Sequence, residues 1–212
     1  MKEARRIIKN HDKSKPLFLY LPLMSIHSPH VGHAPQRFRH LYSSSANSGF
    51  QSSGKLREIV LATVDYALHK VFVDLKMNGM YNNSVVLVTT DNGGGPWNSN
   101  TPLKGTKETL YEGGIRGASF LSSPLLNATG YKYTGLLHIT DWVPTLLGLA
   151  GRHKPAAIIS VSFQSIGIAK PADIDGQDMW EALSNNQSSP RLRIIHNIDE
   201  DIEKGTWQVK SA

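Results

Sequence analysis

Cysteine is absent from all 212 residues of this sequence. Without a thiol, the chain has no disulfide, no thiolate metal site and no cysteine nucleophile. Long apolar runs are scarce too: the longest, Pro16–Ile26, is well short of the about 20 residues that a membrane-spanning helix needs. The first ten residues have a basic start but no apolar run of the secretory kind. The sequence therefore predicts no transmembrane segment and no signal peptide.

The charge balance is basic, with a formal net charge of +6. Much of the excess lies in the first fifteen residues, and no basic stripe with interleaved aromatic residues follows it. We therefore predict no nucleic-acid partner. Hydrophobic residues make up 40% of the chain and charged residues 19%, which indicates a packed interior rather than disorder.

The first half of the chain has an α/β pattern. Pro16–Leu23 is a short continuous apolar run, typical of a strand buried on both faces of a parallel sheet. Lys55–Met77 has apolar residues at spacings of three and four, which predicts an amphipathic helix of about six turns. Ser84–Thr90 is rich in β-branched residues and predicts a second strand. Strand, helix and strand together predict a βαβ unit.

The second half is less regular. Gly117–Leu121 predicts a short strand, Trp142–Ala150 a helix and Leu192–Asn197 another strand. Between them, residues 152–173 have a mixed pattern between prolines and are interpreted as an insertion or linker.

Polar residues follow the two strands predicted in the first half. His27 comes after the first, and Asp91 and Asn92 follow the second directly. Ligands of parallel α/β sheets gather outside the carboxyl ends of strands. A carboxylate and an amide oxygen suit a hard cation such as Ca²⁺ or Mg²⁺. An Asp-Asn-Gly sequence is also ordinary turn chemistry, so a metal site and a simple turn both remain open.

Histidines and lysines give further candidates. His27, His30 and His33 are compatible with a zinc site, with a single catalytic or anion-binding histidine at position 27, or with solvated loop histidines. Lys104 and Lys107 lie in a glycine-rich stretch, where they either face an anionic substrate or are solvated surface charges. All of these alternatives remain open at this point.

Three Asn-x-Ser/Thr sequences, at Asn82, Asn127 and Asn186, are candidate glycosylation sites. Such sites have a role only in the secretory pathway, which conflicts with the missing signal peptide. Either the matches arise by chance, or Met1 is not the natural start of the protein.

Four motifs, taken in their order and spacing, resemble the sulfatase family, most closely the arylsulfatase B group. They are PLFLYL at 16–21 with SIHSPH at 25–30, TDNGG at 90–94, PLKGTKETLYEGGIRG at 102–117 and HITDWVPTLL at 138–147. The likeness continues through residues 174–180 and 194–199 but is absent at about 153–172.

The resemblance implies an alkaline-phosphatase-like α/β sandwich with a mostly parallel sheet and a bound Ca²⁺. It implies hydrolysis of sulfate esters, commonly on sulfated glycosaminoglycans, in a lysosomal or secreted protein. By the family pattern, Asp91 and Asn92 are calcium ligands, His27 contacts the sulfate and protonates the leaving oxygen, and Lys107 bridges the sulfate and the nucleophile. Lys104 is a further candidate for substrate binding.

One part of the family pattern is missing. The family's nucleophile is a formylglycine made from the Cys of Cys-x-Pro-Ser-Arg, which lies upstream of the matched motifs together with an acidic pair of calcium ligands. We therefore expect the amino-terminal half of the domain to be absent, the calcium site to be incomplete and the chain to be inactive alone, with the missing half as a possible partner. The alternatives are a non-catalytic module that binds sulfated glycan and a truncated gene product, so enzymatic activity remains open.

The predicted domains follow the resemblance. Residues 1–151 are interpreted as a partial sulfatase catalytic domain and residues 152–173 as the insertion or linker. Residues 174–212 then begin a smaller carboxy-terminal subdomain.

Overall fold

The computed structural model of the protein describes residues 1–24, 27, 38, 53–95, 99–151, 174–201 and 206–210. The chain forms two compact units, Met1–Ser84 and Val85–Ala212. The insertion or linker predicted at 152–173 lies outside the described residues. The predicted domain boundaries on either side of it stay predictions.

Two helices dominate the first unit. α1 spans Lys2–Asn10 and α2 spans Ser53–Met77, followed by a 3₁₀ turn at Tyr81–Asn83. The helix predicted from apolar spacing at Lys55–Met77 is thereby confirmed. Gly79, with φ of +67°, follows α2 in the left-handed conformation typical of a helix end. Neither α2 nor any other helix in the described ranges is long and apolar enough to cross a membrane.

The two helices are joined by apolar contact and by an ion pair. Ala4 and Ile8 of α1 are buried. Arg5 Nε lies 2.6 Å from Asp74 Oδ2, and Asp74 is only 1% exposed. The hydrogen bond from Arg5 lowers the pKa of the Asp74 carboxyl below its usual value, against the opposing effect of burial. The amphipathic pattern of α2 therefore includes a buried charge whose partner lies on α1.

Pro16–Leu23 is not the buried strand that its sequence predicts. Its residues alternate between exposed and half-buried, and the Phe18 and Tyr20 side chains are 80% and 78% exposed. A strand needs a neighbouring backbone to accept and donate its hydrogen bonds, and no strand in the described part of the chain pairs with this segment. An apolar run cannot specify that neighbour, so the predicted βαβ unit is wrong for the described residues.

Two strand pairs lie in the part of the second unit that the structure describes. β1, at Val86–Thr89, pairs antiparallel with β2, at Ser119–Ser122, so that Thr89 lies opposite Ser119. Both strands lie where the sequence predicts them. β3, at Asn197–Asp201, pairs antiparallel with β4, at Thr206–Lys210. Because both described pairs are antiparallel, the mostly parallel sheet stays a prediction.

The strand predicted at Leu192–Asn197 is displaced. β3 begins only at Asn197, and Leu192 and Ile195 are 88% and 56% exposed. The apolar residues of this stretch therefore do not form a buried strand face, and pairing begins where β4 provides a partner.

Three helices lie in the described residues of the second unit. They are α3 at Glu112–Ile115, α4 at Trp142–Gly151 and α5 at Trp180–Ser184, with a 3₁₀ turn at Ile139–Asp141 before α4. The helix predicted at Trp142–Ala150 is confirmed. The core forms where Trp142, Met179 and Leu183 pack against side chains from the sheet and from α4 and its preceding loop. These are Leu87, Leu121, Tyr133, Leu137 and Leu146.

A buried carboxylate ties the start of α4 to the segment around α5. Asp141 is 0% exposed and accepts backbone hydrogen bonds from His138 N at 2.7 Å and Gln177 N at 2.8 Å. Arg191 Nε donates to the same carboxylate at 2.9 Å. Burial alone raises the pKa of Asp141, but the hydrogen bonds from Arg191, His138 and Gln177 outweigh it, so the pKa lies below its usual value.

Candidate functional site

The loop after β1 carries the two candidate metal ligands. The Asn92 backbone N–H donates to Asp91 Oδ1 at 2.9 Å, and Asn92 Nδ2 donates to the Gly93 carbonyl at 2.7 Å. These local bonds are those of a turn. Within the described part of the chain, Asp91 Oδ2 and Asn92 Oδ1 accept no hydrogen bond. The turn therefore presents two oxygen atoms of the kind that bind hard cations.

This loop is in backbone contact with the segment around α3. Gly93 N donates to the Gly114 carbonyl at 2.9 Å. A Cβ atom on Gly93 would lie 2.0 Å from the Gly113 oxygen, and one on Gly113 would lie 2.2 Å from the Gly105 oxygen. The backbones at Gly93, Gly105 and Gly113 therefore lie closer together than any side chain at 93 or 113 would permit. This explains why the sequence has glycine at positions 93 and 113.

Asn100 fixes the same loop from its other side. Its Oδ1 accepts from Gly94 N at 3.0 Å, while its Nδ2 donates to the Gly94 carbonyl at 2.9 Å and the Gly105 carbonyl at 3.1 Å. The sequence analysis did not single out Asn100, because an asparagine between Ser99 and Thr101 has the composition of any loop. Only the fold reveals that it holds two glycine-containing segments together.

Lys107 lies on this framework. Its backbone N–H donates to the Gly94 carbonyl at 2.9 Å, and its residue is half-buried. The turn around it is closed by Thr109 Oγ1, which donates to the Thr106 carbonyl at 2.7 Å. Glu108 has φ of 77°, in the left-handed region that is uncommon for a residue other than glycine. The backbone at Lys107 is therefore held in a defined, locally strained conformation beside the loop that carries Asp91.

Lys104 has a different environment. Its Nζ lies 4.0 Å from the centroid of the Tyr111 ring, a cation–π contact, and the residue is exposed. The structure thus brings the backbones at positions 91–94 and 104–107 together, while the Lys104 ammonium packs on an aromatic ring.

The remaining predicted site residues are three histidines from the first 84 residues of the sequence. His27 is exposed in the first unit, where its backbone N–H donates to the Met24 carbonyl at 3.2 Å. Asp91, Asn92, Lys104 and Lys107 belong to the second unit. The expectation that His27 joins them in one site stays a prediction. His30 and His33, and with them the zinc interpretation, lie outside the described residues.

The side-chain oxygens of Asp91 and Asn92 are of the type that binds Ca²⁺, but they are too few to form a complete calcium site. Ca²⁺ takes about six to eight oxygen ligands, whereas Asp91 and Asn92 provide two side chains. Across the described ranges, no group of three or more His, Asp or Glu side chains is arranged to hold a metal ion. A complete calcium site therefore needs ligands besides these.

The three glycosylation candidates all lie in described and exposed positions. Asn82 is in the 3₁₀ turn after α2. Asn127 Nδ2 donates to Asn185 Oδ1 at 2.8 Å, and Asn186 follows α5 with φ of 51°. Their modification stays a prediction.

We expect the close backbone approach at Gly93 to control the stability of this framework. Gly93→Ala is expected to destabilise the protein by about 1–3 kcal/mol, because its Cβ would overlap the Gly113 carbonyl 2.0 Å away. Gly95→Ala is the matched control: apart from its chain neighbours, no atom of the described residues lies within 4 Å of the added Cβ, so stability is expected to stay the same or to rise slightly. Urea unfolding of both variants provides the measurement, and equal stabilities would contradict the contact.

Comparison with known proteins identifies the family of this chain. The sulfatase family model matches residues 1–152. Arylsulfatase J of Mus musculus is 39% identical over 209 residues, covering 96% of this chain and 32% of the mouse protein. The uncharacterized sulfatase YdeN of Escherichia coli is 32% identical, covering 88% of this chain and 32% of its own length. N-acetylgalactosamine-6-sulfatase of Homo sapiens is 27% identical, covering 74% and 29% respectively. The chain belongs to the sulfatase family, which confirms the resemblance found in the sequence.

Solved structures agree. The crystal structure of Ps i-CgsB matches with a TM-score of 0.69, and its complex with k-i-k-neocarrahexaose matches with 0.68. Both are 25% identical and cover 88% of this chain and 38% of the solved chain. The fold is therefore of the alkaline-phosphatase-like α/β class, as the sequence predicts. The chain spans about a third of the length of the curated relatives it matches, with 32% covered in arylsulfatase J.

Proposed function

We propose that this chain contributes one part of the active site of a sulfate-ester hydrolase. The observation that carries the proposal is the hydrogen bond from Lys107 N to the Gly94 carbonyl at 2.9 Å. This hydrogen bond holds the Lys107 backbone next to the loop of Asp91 and Asn92. A residue with a positively charged side chain and two residues with oxygen ligands therefore lie on adjoining loops. Membership of the sulfatase family supports sulfate as the anion that this arrangement binds.

Each candidate residue has a proposed role that follows from its chemistry. Asp91 and Asn92 bind Ca²⁺ through their side-chain oxygens. When bound, the cation supplies positive charge that stabilises the negative charge of the sulfate group. The Lys107 ammonium binds a sulfate oxygen, and His27 donates a proton to the oxygen of the leaving alcohol. Lys104, held over Tyr111, adds positive potential at the edge of the site.

The covalent step is assigned to residues outside this chain. The chain has no cysteine from which a formylglycine is made, and it spans 32% of arylsulfatase J. We propose that the 212-residue chain is inactive alone and that a segment carrying Cys-x-Pro-Ser-Arg completes the calcium site and provides the nucleophile.

The proposed substrate is a sulfated carbohydrate in a lysosomal or extracellular compartment. Two names support the carbohydrate: the relative N-acetylgalactosamine-6-sulfatase and the structural neighbour in complex with k-i-k-neocarrahexaose. The exposed sequences at Asn82, Asn127 and Asn186 support the compartment, because they are glycosylation acceptors of secreted proteins.

Calcium binding tests the ligand assignment. The chain is joined to an amino-terminal sulfatase segment that carries Cys-x-Pro-Ser-Arg, and Ca²⁺ affinity is measured by calorimetry. Asp91→Asn is expected to weaken binding at least about tenfold, because it removes a negative charge from a hard cation. Asp65→Asn, an exposed carboxylate of α2, is the control and is expected to leave the affinity unchanged. Unchanged affinity in Asp91→Asn would refute the role of Asp91.

A further inference from the structure

An open cleft lies in the second unit where the chain leaves α5. Its volume is about 370 Å³, within the range of ligand-binding pockets. The lining side chains carry hydroxyl and amide groups and no formal charge. They come from two short segments, residues 133–135 and 186–189. Such a lining suits a neutral, polyhydroxylated ligand better than the sulfate ion.

Tyr133 gives this cleft an unused hydrogen-bonding group. Its ring packs against the core around Trp142 and Leu183. Its buried hydroxyl has no hydrogen-bond partner in the described part of the chain. Leaving a buried hydroxyl unsatisfied costs about 1–3 kcal/mol, so native structures provide a partner for such groups.

The space beside that hydroxyl is kept open by Gly135. A Cβ atom at Gly135 would lie 2.7 Å from Tyr133 Oη and 2.9 Å from Ser189 Cβ. Any other residue at this position would therefore fill the cleft and press on the hydroxyl. With glycine at this position, no side chain occupies the space between the Tyr133 hydroxyl and Ser189.

A glycosylation acceptor forms the rim of the same cleft. Asn186 and Ser188, the first and third residues of its Asn-x-Ser sequence, both line the cleft, and Asn186 is exposed. Asn186 also ends α5: its φ of 51° and the hydrogen bond from Gln187 N to the Ala182 carbonyl, 2.9 Å long, define a helix stop. A helix stop alone requires asparagine or glycine at 186, but it does not require serine at 188 or an open cleft beside it.

We infer that Asn186 carries an N-linked glycan whose first N-acetylglucosamine lies in this cleft and hydrogen-bonds to Tyr133 Oη. The sugar is joined directly to Asn186 Nδ2, so it must lie next to the atoms that line the cleft. Its hydroxyl and acetamide groups match the hydroxyl and amide lining and satisfy the tyrosine. The inference rests on the proposed secretory localisation.

The modification itself is a group transfer carried out by the cell. An oligosaccharyl transferase supplies a lipid-linked diphosphate oligosaccharide. The bond from Asn186 Nδ2 to sugar C1 forms, the bond from C1 to the diphosphate oxygen breaks, and one amide proton is lost to a base of the transferase. The lipid diphosphate leaves with the electron pair of the broken bond.

Glycopeptide mapping tests whether Asn186 is modified when the chain passes through the secretory pathway. The full chain is expressed through the secretory pathway of animal cells and treated with peptide N-glycosidase in H₂¹⁸O, which marks each occupied asparagine. Labelled Asn186 is the expected result. Occupancy of Asn82 or Asn127 without Asn186 would overturn the inference alone. An absence of label at all three positions would overturn the inference as well, and it would leave the proposed sulfate-ester function untouched, because calcium affinity and kcat test that function separately.

The effect of Tyr133→Phe, measured with and without the glycan, tests whether the sugar lies in the cleft. Tyr133→Phe is expected to lower the Tm of the glycosylated protein by about 2–4 °C, because the sugar loses its hydrogen bond. In Ser188→Ala, which lacks the acceptor sequence, the same change is expected to leave Tm unchanged or raise it, because the unsatisfied hydroxyl is removed. Asn186→Gly keeps the left-handed helix stop and provides a second unglycosylated background.

Tyr131→Phe is the matched control. The Tyr131 hydroxyl already donates to the Leu183 carbonyl, so its loss is expected to lower Tm equally in glycosylated and unglycosylated protein. An equal effect of Tyr133→Phe in the two forms would overturn the sugar contact.

Discussion

Asp141→Ala is expected to destabilise the protein by about 3–5 kcal/mol, because it leaves a buried charge without its partner. Asp141 is 0% exposed and the Arg191 side chain 11% exposed, so water cannot replace the lost carboxylate around the guanidinium. The substitution also removes the acceptor for the backbone N–H groups of His138 and Gln177. Urea unfolding followed by tryptophan fluorescence is the measurement, since Trp142 and Trp180 are buried in the same unit.

An exposed ion pair of the same unit provides the control. Arg116 Nη1 lies 3.3 Å from Glu112 Oε2, and both side chains are more than half exposed. Glu112→Ala is expected to change stability by less than about 1 kcal/mol. Similar losses in Asp141→Ala and Glu112→Ala would show that the buried pair does not join the segments as described.

The pKa of Asp141 provides an independent check on the same residue. Because its folded pKa lies below the unfolded value of 3.8, the carboxylate stabilises the native state above pH 3.8. That stabilisation is lost as the pH falls through the folded pKa. Asp141→Asn removes this titration, so its stability is expected to decrease less steeply than that of the wild type below pH 3.8. Identical slopes would contradict the lowered pKa.

Lys107→Ala is expected to reduce the kcat of the completed enzyme about 10²- to 10³-fold, the effect of removing one preorganised group that binds developing negative charge. The enzyme is the chain joined to a segment that carries Cys-x-Pro-Ser-Arg, and the substrate is a chromogenic aryl sulfate. Lys132→Ala, an exposed lysine of the same unit, is expected to keep full activity. Full activity in Lys107→Ala would remove this lysine from the proposed site.

The chain by itself is expected to show no turnover at any Ca²⁺ concentration. It has no cysteine to provide the formylglycine nucleophile. Sulfate release by the isolated chain that disappears in Lys107→Ala would overturn this expectation, because it would demand a nucleophile within these residues.

Local patterns predicted the elements that depend on local interactions. The spacing of apolar residues gave α2, which the structure extends by two residues to Ser53–Met77. The β-branched run at Ser84–Thr90 gave β1 at Val86–Thr89. In each case, the pattern of apolar residues within one element determines its conformation, and contacts with the rest of the chain contribute little.

Pairing between distant segments was not predictable in the same way. Val85–Thr90 has the same composition whether its neighbour is parallel or antiparallel, and the structure pairs it with β2 in the antiparallel direction. Pro16–Leu23 remains without a strand partner in the described chain, although its composition is that of a buried strand. Strand partners depend on tertiary context, which periodicity does not contain.

Some residues of the candidate site were likewise predictable from the sequence, and others were not. Asp91, Asn92 and Lys107 were identified because their residue types match the chemistry of a cation and an anion. Asn100 and Tyr133 were not, because their importance depends on contacts that only folding creates: three hydrogen bonds for Asn100 and an unpaired hydroxyl for Tyr133. Arg191 was missed because its carboxylate partner lies fifty residues earlier in the sequence.

The interlocked glycines constrain how this protein can be recombined with its relatives. Since Gly93 and Gly113 leave no room for a methyl group at either position, a parent with a larger residue at one of them cannot supply that loop to this chain alone. A hybrid sulfatase whose crossover falls between residues 95 and 104 would take the two loops from different parents. Crossovers placed before position 90 and after position 117 would transfer both glycine-containing loops together, with their backbone contacts intact.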